Sequence, residues 1–578
     1  MTSSSPRDAT EWMRHAEAQM LDLARERERA GWVYATYLNA DTQALAARAE
    51  ARMIAEVVGL AKEATGLGPA LGSGDLARKA LLLRTGLSLA APADPEEARE
   101  LTETVRSLEE TFATGRFRPS GSDTALDLQE LSHRLESSRS PEEMAEVWTG
   151  WHAIAAPMRP RFTRYVELAN RGARELGFAD TGAMWRSKYD MPPEAFAADV
   201  ERVWEQVRPF YTALHAYVRR RLREHYGAEH VPADGPIPAH LLGNMWAQSW
   251  EYVYPLVAPE GSAPAFDLTD ILRRRGTIPT DMVRFAEGFF TSIGFDPLPA
   301  SFWERSMFVR PRDREVVCHA SAWDLDFEED LRIKMCIDIT AEDFHVIHHE
   351  LGHNFYQRAY RAQPFLYRDS ANDGFHEAVG DTIGLSVTPE YLVQVGLLDR
   401  APDPTHDLGL LLQMALQKVA FLPFGYLIDR WRWDVFSGAT GPDRYNASWW
   451  ELRRRYQGLA PPTARSESDF DPGAKFHVAG NVPYMRYFLA HVLQFQFHRA
   501  LARIADQKGP LHRASIYGHR EAGARLGQML ALGASRPWPE ALEALTGERR
   551  VDASAMMEYF APLLEFLDKE NRSAPVGW

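Results

Sequence analysis

The chain has 578 residues, 45% of them hydrophobic and 25% charged, a composition ordinary for a soluble globular protein and long enough to bury a sizeable core. Sixty-five Lys and Arg against 80 Asp and Glu leave a net charge of -15, which repels nucleic acid phosphate and anionic membrane surfaces. No run approaches the roughly 18 uninterrupted apolar residues of a spanning helix, so no membrane span is expected.

In chain order, the N-terminus is polar and shows no apolar signal core, so the protein is either cytoplasmic or begins after a removed leader. Residues 11 to 64 carry apolar positions at three- and four-residue spacing and predict helix. Helical patterns recur at 96–114, 125–138, 141–176, 193–226 and 279–293. They resume at 341–361, 372–386, 407–438, 448–457, 482–506, 516–532 and 554–570. Strands are expected only at Glu315 to His319 and Arg332 to Asp338, paired with each other. Pro- and Gly-rich loops fall at 227–240, 256–266 and 458–474, none with the composition of an interdomain linker, and no repeat is visible. The expectation is a mainly α protein, one helical unit split into two lobes by a cleft. Cys318 and Cys336 bracket the segment before residue 341. They read equally as two free buried thiols or as a disulfide worth about 3 kcal/mol in an oxidising compartment.

The chemistry concentrates at His349-Glu350-Leu351-Gly352-His353. Side chains four apart share a helix face, so both imidazoles can meet one Zn²⁺ with Glu350 beside them to hold a water. Alone, the pattern also suits a surface helix with two solvated histidines. Its setting argues against that reading. Thr340 can cap the helix, and Phe344, Ile347, Leu351 and Phe355 form an apolar stripe, so the motif sits half-buried where unpaired histidines are costly. Glu377, in Gly374-Phe375-His376-Glu377-Ala378-Val379-Gly380-Asp381, can return on a second helix as third ligand. Three protein ligands leave the open position that catalytic zinc requires. Asp381 shares the face of Glu377 and can hold the second ring nitrogen of a ligand histidine.

These blocks, with Cys318-His319-Ala320-Ser321-Ala322-Trp323-Asp324, Gly243-Asn244-Met245-Trp246-Ala247-Gln248, Phe421-Leu422-Pro423-Phe424-Gly425-Tyr426, Lys475-Phe476-His477 and Val482-Pro483-Tyr484-Met485-Arg486-Tyr487, resemble the angiotensin-converting enzyme family of zinc peptidyl-dipeptidases. The likeness runs over about residues 140 to 570 and implies a helical ellipsoid with a deep central channel, covered by an N-terminal helical lid at 11–64. Across 1–578 it implies one catalytic domain, of the bacterial single-domain kind. It further implies that Glu350 is the general base and that Tyr487 hydrogen-bonds the oxyanion. His477, His319 and Ala320 would hold the substrate backbone. Gln248, Lys475 and Tyr484 match the trio that binds a free terminal carboxylate. A carboxypeptidase relative has arginine in place of that glutamine, so release of two residues is the expectation. The alternatives are a zinc monocarboxypeptidase of the same fold and a catalytically silent peptide-binding module.

The family is activated by chloride. Tyr189 and Arg486 match one chloride site. Trp449 and Arg453 match part of another, whose remaining arginine is His152 here, which places that second site in doubt. The resemblance favours a Cys318–Cys336 disulfide and a periplasmic or secreted location. Oligopeptides with a free C-terminus are the expected partners; oligomeric state has no sequence signal.

Overall fold

The N-terminal periodic run folds as two helices rather than one. In the computed structural model, which describes residues 6–262 and 266–578, Pro6–Thr36 and Ala40–Leu67 form a hairpin. The break is set at Asn39, whose side chain accepts from the Thr42 N–H at 2.9 Å while Thr42 Oγ1 accepts from the Asn39 N–H at 3.2 Å. That reciprocal cap starts a new helix instead of continuing the old one. The predicted 141–176 helix is likewise divided into Pro141–Ala153, a tight turn at Ala156–Met158, and Arg159–Glu175. Pro157 and Pro160 lack the amide hydrogen a continuous helix needs. Helix accounts for 66% of the structure and strand for 3%, as the mainly α reading requires. Short helices such as Asp75–Thr85 and Trp538–Thr546 escaped the sequence pattern. Residues 263–265 of the expected 256–266 loop lie outside the described residues.

The strand expectation needs correction. Ser321–Asp324 pairs antiparallel with Leu331–Lys334, in the register Ser321↔Lys334 to Asp324↔Leu331. Glu315 to His319 is not a strand, because its backbone is used elsewhere. The Val317 N–H donates to the Ala35 carbonyl and the Glu315 carbonyl accepts from Leu38, both at 2.8 Å. The end of the first helix thus docks where a partner strand was expected. Trp32 adds an edge-to-face contact with Trp323 at 5.7 Å and lies under the Arg332 guanidinium at 4.9 Å. Cys318 and Cys336 are joined as a disulfide, with Cα atoms 5.0 Å apart, which closes the same loop. A second, two-residue parallel ladder ties Ile237–Pro238 to Leu459–Ala460.

The core is built around helix Asp407–Ser437. Together with its preceding turn, Pro404–Ser437 is long and apolar enough to cross a membrane by composition, yet most of it is buried inside the protein. It also carries the ion pair between Asp429 and Arg432, both about 1% exposed. Asp429 Oδ2 accepts from the N–H groups of Tyr484 and Met485 at 2.8 and 2.7 Å. A carboxylate from one helix thereby caps the start of another, Met485–Ile504, and fixes where that helix begins. Helices Ala341–Tyr360 and Asp373–Leu385 pack at glycines: a Cβ on Gly352 would lie 2.8 Å from the Gly380 Cα, and one on Gly380 would lie 2.7 Å from His349 Nδ1. No other residue permits that approach, and the approach is what lets Glu377 reach the histidines.

Candidate active site

Helix Ala341–Tyr360 begins at Thr340, whose hydroxyl accepts from the Asp343 N–H at 3.1 Å. Phe344, Ile347, Leu351 and Phe355 are buried and turn His349 and His353 toward Asp373–Leu385. The two Nε2 atoms stand 3.0 Å apart, and Glu377 Oε2 is 3.6 Å from His349 Nε2. All three ligand atoms lie within 4.8 Å of one another, a spacing that one tetrahedral ion spans. The donor set fits zinc: two imidazoles, one carboxylate, and Glu350 almost buried at 7% exposure. Burial opposes charge on His349, but the Asp381 and Glu377 carboxylates outweigh it and raise the ring to about 10. Burial would raise Glu377, yet the His349 hydrogen bond and the charges of both histidines hold it at about 2. Burial raises Glu350.

Asp381 Oδ1 lies 3.2 Å from His349 Nδ1, and its other oxygen accepts from Lys418 Nζ at 3.0 Å. Burial would raise Asp381, but Lys418 and His349 hold it far below the usual carboxylate range. Asp381 thus turns His349 so that Nδ1–H faces a carboxylate and Nε2 faces the metal position. Sequence reasoning passed over Lys418, though the signal was present: it is the sole charged residue between Asp407 and Asp429 in a buried, apolar helix. His376 was also passed over. Its Nδ1 is 3.2 Å from His353 Nδ1 and its Nε2 is 3.3 Å from the Tyr360 hydroxyl.

Lys475 is 5% exposed and donates to Gln248 Oε1 at 2.7 Å; the Tyr484 hydroxyl donates to the same oxygen at 3.4 Å. The three residues of the expected carboxylate anchor therefore meet. Lys475 Nζ also sits 3.9 Å above the Trp246 ring, and burial pulls it down to about 7. Among the described residues it makes no ion pair, and burial alone sets its shift, so its neutralising partner would be a ligand. His477 and Tyr487 join this wall: the His477 ring is 4.6 Å from Tyr484 and 5.8 Å from Tyr487, centre to centre. Burial, with Lys475 nearby, pushes His477 down to about 3, and burial raises Tyr487. His319 is exposed, with Nδ1 2.8 Å from the Ala320 carbonyl; that nitrogen must carry the proton, and Nε2 has no hydrogen-bond partner among the described residues.

The two expected chloride positions differ. Tyr189 and Arg486 both face Asp373: the tyrosine hydroxyl donates to Oδ1 at 2.8 Å, Arg486 Nε is 3.5 Å from Oδ2, and Lys188 Nζ is 3.3 Å from Oδ2. Burial would raise Asp373, but Lys188 and Arg486 lower it, so an ionised carboxylate stands between the expected chloride ligands. At the other position, Trp449 Nε1 and Arg453 NH1 are buried donors with no hydrogen-bond partner among the described residues, and Arg453 is wholly buried. Burial lowers Arg453 to about 10. His152 stacks on Trp148 at 3.6 Å and burial pushes it to about 4, so the ring is neutral near pH 7.

The family model described as angiotensin-converting enzyme matches residues 3–578. Angiotensin-converting enzyme of Sus scrofa is 47% identical over 490 residues, which cover 84% of this chain and 37% of the relative. That of Bos taurus is 49% identical over 455 residues, covering 78% and 35%. That of Theromyzon tessulatum is 46% identical over 459 residues, covering 79% and 74%. The match spans little more than a third of the Sus scrofa and Bos taurus relatives and about three quarters of the Theromyzon tessulatum protein. With a family match from residue 3 to the last position and a metal-type His-His-Glu cluster at its centre, the chain belongs to the angiotensin-converting enzyme family.

Proposed function

We propose that this protein is a zinc-dependent peptidyl-dipeptidase that releases C-terminal dipeptides from oligopeptides. One observation carries the reading: a converging His349, His353 and Glu377 set occurs in the same chain as a buried, unneutralised Lys475 bracketed by Gln248 and Tyr484. The first arrangement suits hydrolysis and the second suits a free carboxylate. Zinc held by the three ligands would supply an acidified water and a positive charge for the carbonyl being cleaved. Glu350 takes the proton of the attacking water and delivers it to the leaving amine. Tyr487 donates its phenolic hydrogen to the developing oxyanion, and His319, Ala320 and His477 align the peptide backbone. Lys475, Gln248 and Tyr484 bind the terminal carboxylate and so set how many residues leave.

In this reading residues 140–570 form the catalytic core of a single domain and the N-terminal hairpin, 11–64, acts as its lid. Docking of that hairpin beside His319 supports the assignment. Chloride enters the proposal at Trp449 and Arg453, whose two orphaned donors call for an acceptor. It does not enter at Tyr189 and Arg486: Arg486 Nε also lacks a hydrogen-bond acceptor, but the ionised Asp373 beside it already supplies the negative charge and would repel an anion. The disulfide supports a location in an oxidising compartment, periplasmic or extracellular. Mass spectrometry of the products from an undirected peptide pool, with and without chelator, tests the whole reading. Dipeptides lost stepwise from the C-terminal end, and only without chelator, are expected. Single amino acids as product would make it a monocarboxypeptidase, and chelator-insensitive cleavage would remove the metal.

A further inference from the structure

One buried cation at the site has no role in the chemistry above. Lys334 is 2% exposed and makes no ion pair among the described residues; its hydrogen bonds go to backbone carbonyls. Lysine is almost never buried this deeply without a carboxylate partner, so its retention calls for a specific task. Its Nζ donates to the Val317 carbonyl at 2.7 Å and to the His319 carbonyl at 2.5 Å. These acceptors flank Cys318, and the disulfide partner Cys336 lies two residues beyond Lys334, on the same face of the extended segment. Lys334 also stands directly across the strand pair from Ser321, the residue after Ala320. The stretch 317–319 is therefore held at two alternate, inward-facing carbonyls by an ammonium and between them by a sulfur bridge.

The electrostatics point the same way. Burial lowers Lys334, and the only charge that offsets this is Glu350. The ammonium is thus close enough to feel the Glu350 carboxylate while its hydrogen bonds go to the backbone of Val317 and His319. A methionine of similar length would fill the space without the cost of burying a charge. It could not tie down two carbonyls at once.

We infer that Lys334 is a positioning residue: its buried ammonium, bonded to the Val317 and His319 carbonyls, sets the His319–Ala320 edge against which the peptide backbone of the substrate lies. The inference rests on the peptidase reading, in which His319 and Ala320 contact substrate backbone. Released carbonyls would turn outward, and the edge would meet the peptide in many orientations instead of one.

The test is a cycle between enzyme and substrate. Each backbone amide near the cleaved bond of one peptide is replaced in turn by an ester, and kcat and KM are measured for the native enzyme, Lys334→Met and Lys334→Arg. For the native enzyme, esters at positions that pair with the edge should lose about tenfold in kcat/KM. In Lys334→Met the parent peptide should lose ten- to a hundredfold, mainly through KM, and those esters should cost nothing more. Lys334→Arg, whose guanidinium can reach both carbonyls, should recover most of the loss. Zinc content should equal that of the native enzyme. Additive ester penalties in Lys334→Met, or a loss confined to kcat, would overturn the inference. If Lys334→Met does not fold, Lys334→Gln enters the same cycle, since one amide can serve only one carbonyl and half of the coupling should survive; full coupling there would overturn it as well. Failure of the native enzyme to cleave any peptide would instead strike the peptidase reading.

Discussion

Replacement of Lys475 by methionine isolates the recognition of a free chain end. The side chain is 5% exposed and rests on the Trp246 ring, so methionine keeps the packing and removes only the charge and its donors. A carboxylate docking there forms a buried, charge-assisted pair. Loss of one partner of such a pair costs about 3–5 kcal/mol, and Gln248 and Tyr484 remain to donate, so the low end applies, about 3 kcal/mol or roughly a hundredfold in kcat/KM. Peptide amides never offer the charge and should lose less than about threefold. The pH profile adds a second reading. Burial holds Lys475 at about 7 in the free protein, well below an exposed lysine. It is charged below that value and neutral above it, so kcat/KM for free acids should fall as pH rises through 7, by about tenfold per unit once neutral. Lys475→Met should lack this alkaline limb for free acids, and the native enzyme should lack it for amides.

Stability moves in the opposite direction from activity. In the folded protein Lys475 binds its proton more weakly than in the unfolded chain, so between pH 7 and about 10 the unfolded state holds more protons and stability rises with pH. Below pH 7 the buried charge exerts its full cost. Lys475→Met should therefore be more stable than the native protein at pH 6, by at least about 1 kcal/mol in denaturant melts. Equal losses on acids and amides would remove Lys475 from recognition of the chain end, and a Lys475→Met variant less stable than the native protein at pH 6 would contradict the cost of its buried charge.

Glu350→Gln should keep its zinc, since Glu350 is not among the three converging ligands, yet lose about a thousandfold or more in kcat; metal analysis beside steady-state rates checks this, and near-normal turnover would remove the general base. Asp381→Asn should weaken zinc binding about 10–100-fold in chelator competition, and Lys418→Met should follow it part of the way; unchanged affinity in both would deny the chain from Lys418 to His349 any part in holding the metal. Arg453→Met should abolish any response of activity to added chloride. Asp373→Asn should create a second response, because Lys188 and Arg486 lose the carboxylate that neutralises them; chloride titrations identical to those of the native enzyme would contradict both.

How much of this was legible in the sequence depended on how far each interaction reaches along the chain. The helix bearing His349 and His353 could be read because its cap, Thr340, and its buried stripe are local and periodic. The break at Asn39 was equally local, since Asn39 and Thr42 form their cap three residues apart, but the surrounding periodicity concealed it. The strand error has a different origin. Glu315 to His319 has the composition of a strand, yet its backbone bonds go to Ala35 and Leu38, residues far away in sequence whose arrival no local pattern announces, and the expected partner segment reaches it only through the Lys334 side chain. Asp373 is the sharper case. Resemblance named Tyr189 and Arg486 as anion ligands, but only packing reveals that an internal carboxylate lies between them. Periodicity reports which face is buried; it is silent on what meets that face. Buried polar groups expose the difference, because each must find a partner of opposite character and the partner usually comes from another element. Lys475 departs from that rule in one respect: its ammonium has a neutral acceptor in Gln248 but no carboxylate among the described residues, so a ligand's carboxylate is the partner of opposite charge that the site leaves room for.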